Sequence, residues 1–148
     1  MIKLNIKYKI ISLTEENIDL LEKIRFNAYG IDEEKMSHKK SFYINDLKSG
    51  KYLVIGTFIE SMLVAACYTK NTYHLLYIDQ LFVLKKYQKT PLHIGSNLLK
   101  YILDNHKIIE DYFQEKFHYS YLDDYRGTKD FYQNLGYIEK ENLMKKHL

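Results

Sequence analysis

The sequence predicts an α/β domain, a mixed central sheet with helices on both faces. Hydrophobic spacing alternates between a period of two and helical spacing in the order β-α-α-β-β-β-α-β-α-β. One stretch, about Tyr73 to Leu84, is nearly continuous in apolar and aromatic residues, as expected of a central strand covered on both faces. At 148 residues, with 46% hydrophobic and 28% charged residues, the chain has the size of one packed unit, and residues 1–148 are expected to form a single domain.

The first strand is read in Tyr8 to Leu13. Thr14, followed three residues later by Asn17, resembles a capping pair, and Ile18, Leu21, Ile24, Arg25 and Ala28 then recur at helical spacing up to Gly30, a residue favoured just past a helix end. A second short helix is expected at about Ser37 to Lys48, closed by Gly50. Tyr52 to Ile59 and Met62 to Thr69, parted only by Glu60-Ser61, form an antiparallel hairpin. The central strand follows. After Gly95, Ile94, Leu98, Tyr101 and Ile102 share one helical face that ends near Asn105. Phe117 to Leu122 reads as a strand, Gly127 to Leu135 as a helix with Phe131 and Leu135 inward, and Tyr137 to Lys146 as one closing strand. That last strand is a plausible dimer edge.

Composition narrows the function. A net charge of +3, with Lys and Arg scattered among Asp and Glu, argues against nucleic-acid binding. The 15 tyrosines with no Trp read as the bias of a bacterial genome rather than as a chemical task. No segment approaches the roughly 20 apolar residues that span a bilayer, and the first residues lack the apolar stretch of a signal peptide. The lone Cys67 sits in an apolar run as a small buried hydrophobe, consistent with a reducing cytoplasm. His38, His74, His106, His118 and His147 show no metal-ligand spacing, and no metal is expected. Asp32, Glu33 and Glu34 could attract a cationic amine, or be merely solvated.

The chemistry is sought where the central strand ends and the next helix begins, Leu81 to Ser96. Such a junction presents free backbone N–H groups and the positive end of a helix dipole, a setting for a diphosphate. Gly95 allows close approach of main chain to the anion, and Gln88, Lys89 and Ser96 add donors. A junction with one glycine can also be only a connection.

Two segments carry a resemblance. Leu81-Phe82-Val83, then Gln88 and Ile94-Gly95, resemble motif A of the GNAT superfamily, an L-x-V strand followed by an R/Q-x-x-G-x-G/A loop. The loop here is two residues longer, with six residues between Gln88 and Gly95, and His93 stands at the first glycine. Thr128 to Tyr137, with Phe131-Tyr132 and Gly136-Tyr137, is similar to motif B, A-x-x-F-Y-x-K-x-G-F. The element order extends the resemblance over nearly the whole chain.

The resemblance implies a mostly antiparallel sheet whose fourth and fifth strands splay apart, with the pantetheine of an acyl-coenzyme A lying in the gap against the backbone of Leu81, Phe82 and Val83. It implies N-acyl transfer from acetyl- or another acyl-coenzyme A to an amine of a small molecule or peptide. The diphosphate would meet Gln88, Lys89, His93, Ile94, Gly95 and Ser96, and Tyr125 stands where the family often carries an Asn near the pantetheine. Tyr132 maps onto the general acid, or is a core aromatic. Asp79, in a largely apolar strand, is the candidate base, or a structural hydrogen-bond acceptor at the splay. The alternative is a degenerate, non-catalytic GNAT-like binding or regulatory domain.

Overall fold

A computed structural model describes residues 4–31, 44–123, 125 and 127–148. The acidic group Asp32, Glu33 and Glu34, together with His38 and most of the expected second helix, lies outside the described residues; 44–48 is helical. Among the described residues the strands are β1 (Ile6–Ile10), β2 (Tyr52–Ile59), β3 (Met62–Thr72), β4 (Leu75–Val83), β5 (Tyr119–Leu122), β6 (Ile138–Lys140) and β7 (Leu143–His147), and these seven form one sheet in the order β1-β2-β3-β4-β5-β7-β6. Every neighbouring pair is antiparallel except β4 with β5, which is parallel. The mixed, mostly antiparallel sheet is therefore as expected, and β4 lies at its centre.

Helix α1 (Glu15–Tyr29) is held at both ends as its sequence suggests. Thr14 accepts the Asn17 N–H at 3.3 Å, and Glu15 and Glu16 place negative charge in the first turn. At the other end Gly30 takes φ 68°, and the N–H groups of Gly30 and Ile31 return to the carbonyls of Asn27 and Phe26. Helices α2 (Ile94–Asp104), α3 (His106–Phe113) and α4 (Lys129–Asn134) complete the chain.

Each face of the sheet carries its own core. Ile18, Leu21 and Ile24 of α1 pack with Leu47, Val54, Tyr68 and Phe82, whereas Leu98, Leu99 and Ile102 of α2 pack with Ile55, Cys67, Leu76 and Ile78 on the opposite side. Cys67 is fully buried, as its apolar run suggests.

Three expectations change. The closing strand is a hairpin, β6 and β7, turned by Glu141 and Asn142, both at positive φ, so β6 is the sheet edge and β7 is internal. The start of the central strand moves to Leu75, because Tyr73 and His74, also at positive φ, form the turn out of β3. Helix α3 was not expected: Ile109 is its one buried residue, and it ends on Gln114 in the left-handed region rather than on a glycine. In α4 the buried residue is Tyr132, while Phe131 and Leu135 are half-buried against the same core.

Candidate active site

The site arises from a mismatch of strand lengths. β4 pairs with β5 only through Leu76 with Ser120 and Tyr77 with Tyr121, and then runs on to Val83. Beyond Tyr77 the β5-facing edge of β4 has no strand against it among the described residues. On its other side β4 pairs with β3 through Gln80, Leu81, Phe82 and Val83. The Leu84 N–H bonds back to Val64 O at 2.8 Å. Antiparallel alternation therefore points the main chain of Phe82 at β3 and that of Leu81 and Val83 at the open side. Phe82 itself is 2% exposed and belongs to the core beneath α1.

Facing this edge is the first turn of α2. Its N-cap, His93, has φ 49° and offers no side-chain cap, and the first intrahelical bond is Asn97 N–H to His93 O at 2.9 Å. The N–H groups of Ile94, Gly95 and Ser96 lie ahead of that bond, as the leading donors of a helix do. A methyl group on Gly95 would stand 3.4 Å from a Val83 methyl and 3.8 Å from the Phe131 ring, so the glycine keeps the gap between β4 and α4 open.

Two clefts meet there. One, of about 310 Å³, is lined by Leu81, Phe82, Val83, Gly95 and Tyr132, with Tyr29 at the end of α1. The other, of about 390 Å³, is lined by Val83, Gln88, Lys89, His93, Ile94, Gly95 and Ser96. They share Val83, Gln88, Gly95 and Phe131, forming one groove from the open strand edge to the helix N-terminus. Pro91 and His93 are exposed, and Lys89, Thr90 and His93 of this loop wall the groove.

Several side chains take roles that spacing alone did not show. Gln88 donates from Nε2 to Val83 O at 2.8 Å and to Ala28 O at 3.1 Å, closing the last carbonyl of β4 and tying the loop to α1. Ser96 Oγ donates to His93 O at 3.2 Å. The donors at the head of α2 are thus main-chain ones, with the Lys89 ammonium at the rim. Tyr125 lies outside both clefts and hydrogen-bonds Glu139, which also pairs with Lys129 at 3.1 Å.

Tyr132 is 8% exposed and reaches the groove wall. Its ring meets Phe131 and Tyr137 edge-on at 5.0 and 5.9 Å, and its carbonyl accepts the Tyr137 N–H at 3.1 Å. Asp79 occupies a β-bulge: Ile78 pairs with Thr69 and Gln80 with Tyr68, leaving Asp79 unopposed. The bulge turns Asp79 and Gln80 to the α1 face, where Tyr52 donates to Asp79 at 2.7 Å and Tyr29 to Gln80 at 2.8 Å. Burial raises the Asp79 carboxyl above the ordinary range, while the Tyr52 hydroxyl and the Lys70 ammonium draw it back. Neither Tyr52 nor Tyr29 was singled out by the sequence; only the bulge brings them to these partners.

A seven-stranded mixed sheet opened between β4 and β5, with an uncapped helix N-terminus facing the gap, is the GNAT fold. Among solved structures, PaiA N-acetyltransferase from Thermoplasma acidophilum, in complex with coenzyme A, superposes with a TM-score of 0.70 at 19% identity, over 97% of this chain and 99% of that one. A GNAT family acetyltransferase from Brucella melitensis, in complex with acetyl-coenzyme A, gives 0.70 at 11% identity, over 97% and 88%. Aminoglycoside 6'-acetyltransferase type Ii gives 0.69 at 16% identity, over 95% and 96%. No family model and no curated protein matches the sequence.

Proposed function

We propose that this protein is an N-acyltransferase that moves an acetyl or other acyl group from acyl-coenzyme A to a primary amine. The observation that carries this reading is the groove in which the edge of β4 that no described strand pairs, the N-terminus of α2 and the Tyr132 side chain converge. Leu81 has main-chain groups with which an amide-bearing arm can pair as an added strand, leaving the N–H of Val83, whose carbonyl Gln88 already closes, for the reacting acyl oxygen. The Ile94, Gly95 and Ser96 N–H groups, backed by the helix dipole, suit a diphosphate. Coenzyme A carries both features on one molecule. The fold shared with coenzyme A and acetyl-coenzyme A complexes supports the same co-substrate.

The thioester brings its own activation, so the protein's work is positioning and proton transfer. Val83 N–H donates to the oxygen that gains charge as the amine nitrogen bonds the acyl carbon, Asp79 takes the amine proton, and Tyr132 protonates the sulfur as the carbon–sulfur bond breaks. Solvent returns Tyr132 and Asp79 to their starting states. The amine class accords with neighbours such as aminoglycoside 6'-acetyltransferase.

The test pairs binding with turnover. Acetyl-coenzyme A should raise the melting temperature of wild-type protein and of Tyr132→Phe alike, while the variant acetylates an amine panel at least about a hundredfold more slowly. No thermal shift at millimolar coenzyme would favour a GNAT-like binding or regulatory domain instead.

A further inference from the structure

We infer that Tyr52 is a positioning residue for acyl transfer, holding the Asp79 carboxylate in place and setting the pH at which it accepts the amine proton. The inference rests on the transferase reading, and its own support is geometric. Asp79 is the unopposed residue of the β4 bulge, with no β3 residue paired directly across from it. Tyr52 is 4% exposed and packed in the core beneath α1, and its hydroxyl donates to Asp79 Oδ2 at 2.7 Å. A ring locked by packing holds its hydroxyl at a fixed point, which is what a second residue needs in order to orient a first. Lys70 of β3 lies over the same ring, its Nζ 5.6 Å from the Tyr52 centroid and 4.9 Å from that of Tyr77.

The charged surroundings of Asp79 come from each packed element. From α1, Arg25 draws the carboxyl down, though its guanidinium is already paired with Glu22 at 2.7 Å. From β3, Lys70 draws it down, and just past β5, Asp123 pushes it up. Tyr77 and Tyr121, and Cys67 on the opposite face of the sheet, also feel its charge, and burial drives all three toward their neutral forms. Burial of Asp79 itself is the largest influence, and the Tyr52 hydrogen bond is the largest one opposing it. A hydroxyl donated to a carboxylate favours the charged form, so its removal makes Asp79 protonate at higher pH.

Two measurements test this. A carbon-13 titration of the Asp79 carboxyl, its resonance identified by loss in Asp79→Asn, needs no substrate. Tyr52→Phe should raise the midpoint by about one unit, the scale of one hydrogen bond to a charged group. Lys70→Met should raise it by less. The acidic limb of kcat/KM for acetylation should move upward with the carboxyl, leaving Tyr52→Phe about tenfold slower below the limb by protonation alone, and still several-fold slower well above it, where the ionised carboxylate is no longer held. An unmoved carboxyl overturns the inference. A moved carboxyl with an unmoved limb overturns the role of Asp79 as base, and Tyr52's with it, while the transferase reading stands. A moved carboxyl in a wild-type protein that acetylates no amine overturns both.

Discussion

Glu22 and Arg25, three residues apart on α1, are both buried, at 0% and 7% exposure, beneath a helix that otherwise turns apolar residues inward. The guanidinium reaches both Glu22 oxygens at 2.7 and 3.0 Å, and Tyr68 donates to the same carboxylate at 3.0 Å. A buried ion pair is costly to desolvate, and removing one member leaves the other stranded. Arg25→Ala is therefore expected to cost about 3 kcal/mol, seen as a lower urea midpoint at unchanged slope. The inward face of α1 was legible from Ile18, Leu21, Ile24 and Arg25, and its ends from Thr14 and Gly30, because capping is written in adjacent residues. Glu22 was not legible: its burial depends on an arginine on the same helix and a tyrosine 46 residues away. Tyr132 could be found because Phe131, Tyr132, Gly136 and Tyr137 are local, whereas the Tyr52 to Asp79 contact requires a bulge that no spacing announces.

The strand boundaries that the sequence misplaces, the start of β4 and the break between β6 and β7, share one physical cause. Three two-residue turns, Glu60-Ser61, Tyr73-His74 and Glu141-Asn142, have both residues at positive φ with no glycine among them. Turns of this hand match the twist of a hairpin, but their usual signature is Asn-Gly or Asp-Gly. The first was readable only because strong strands flank it; the third, between the weak strands β6 and β7, was not. Helix α2 fared better, since its apolar spacing is regular, and its start can be tested. At Gly95 a methyl group has ordinary contacts and a better helix propensity, but it projects into the groove. Gly95→Ala is expected to leave the free protein no less stable while shrinking the rise in melting temperature that acetyl-coenzyme A produces. Equal shifts in both proteins would show that the co-substrate does not pass between Val83 and Phe131.

For the molecule as a whole, the relation that matters is between a long β4 and a short β5. A strand at the centre of a sheet normally has both edges paired, and here, among the described residues, no strand pairs with one edge over the residues nearest the α2 N-terminus. The order of strands and helices made the mixed α/β class legible, whereas the strand neighbours, which connectivity alone does not fix, were implied only by the resemblance. The bare edge itself was not derivable from periodicity, since it depends on where β5 stops. Among the described residues no helix is long and apolar enough to cross a membrane. The central claim is that the open edge at Leu81 and Val83 and the leading amides of α2 hold one extended co-substrate. The direct measurement is a nitrogen-15 amide titration with acetyl-coenzyme A. The largest shifts should fall on Leu81, Val83, Ile94, Gly95 and Ser96, saturating together with a single dissociation constant. Shifts centred elsewhere, or unmoved amides at these five positions in millimolar co-substrate, would contradict it.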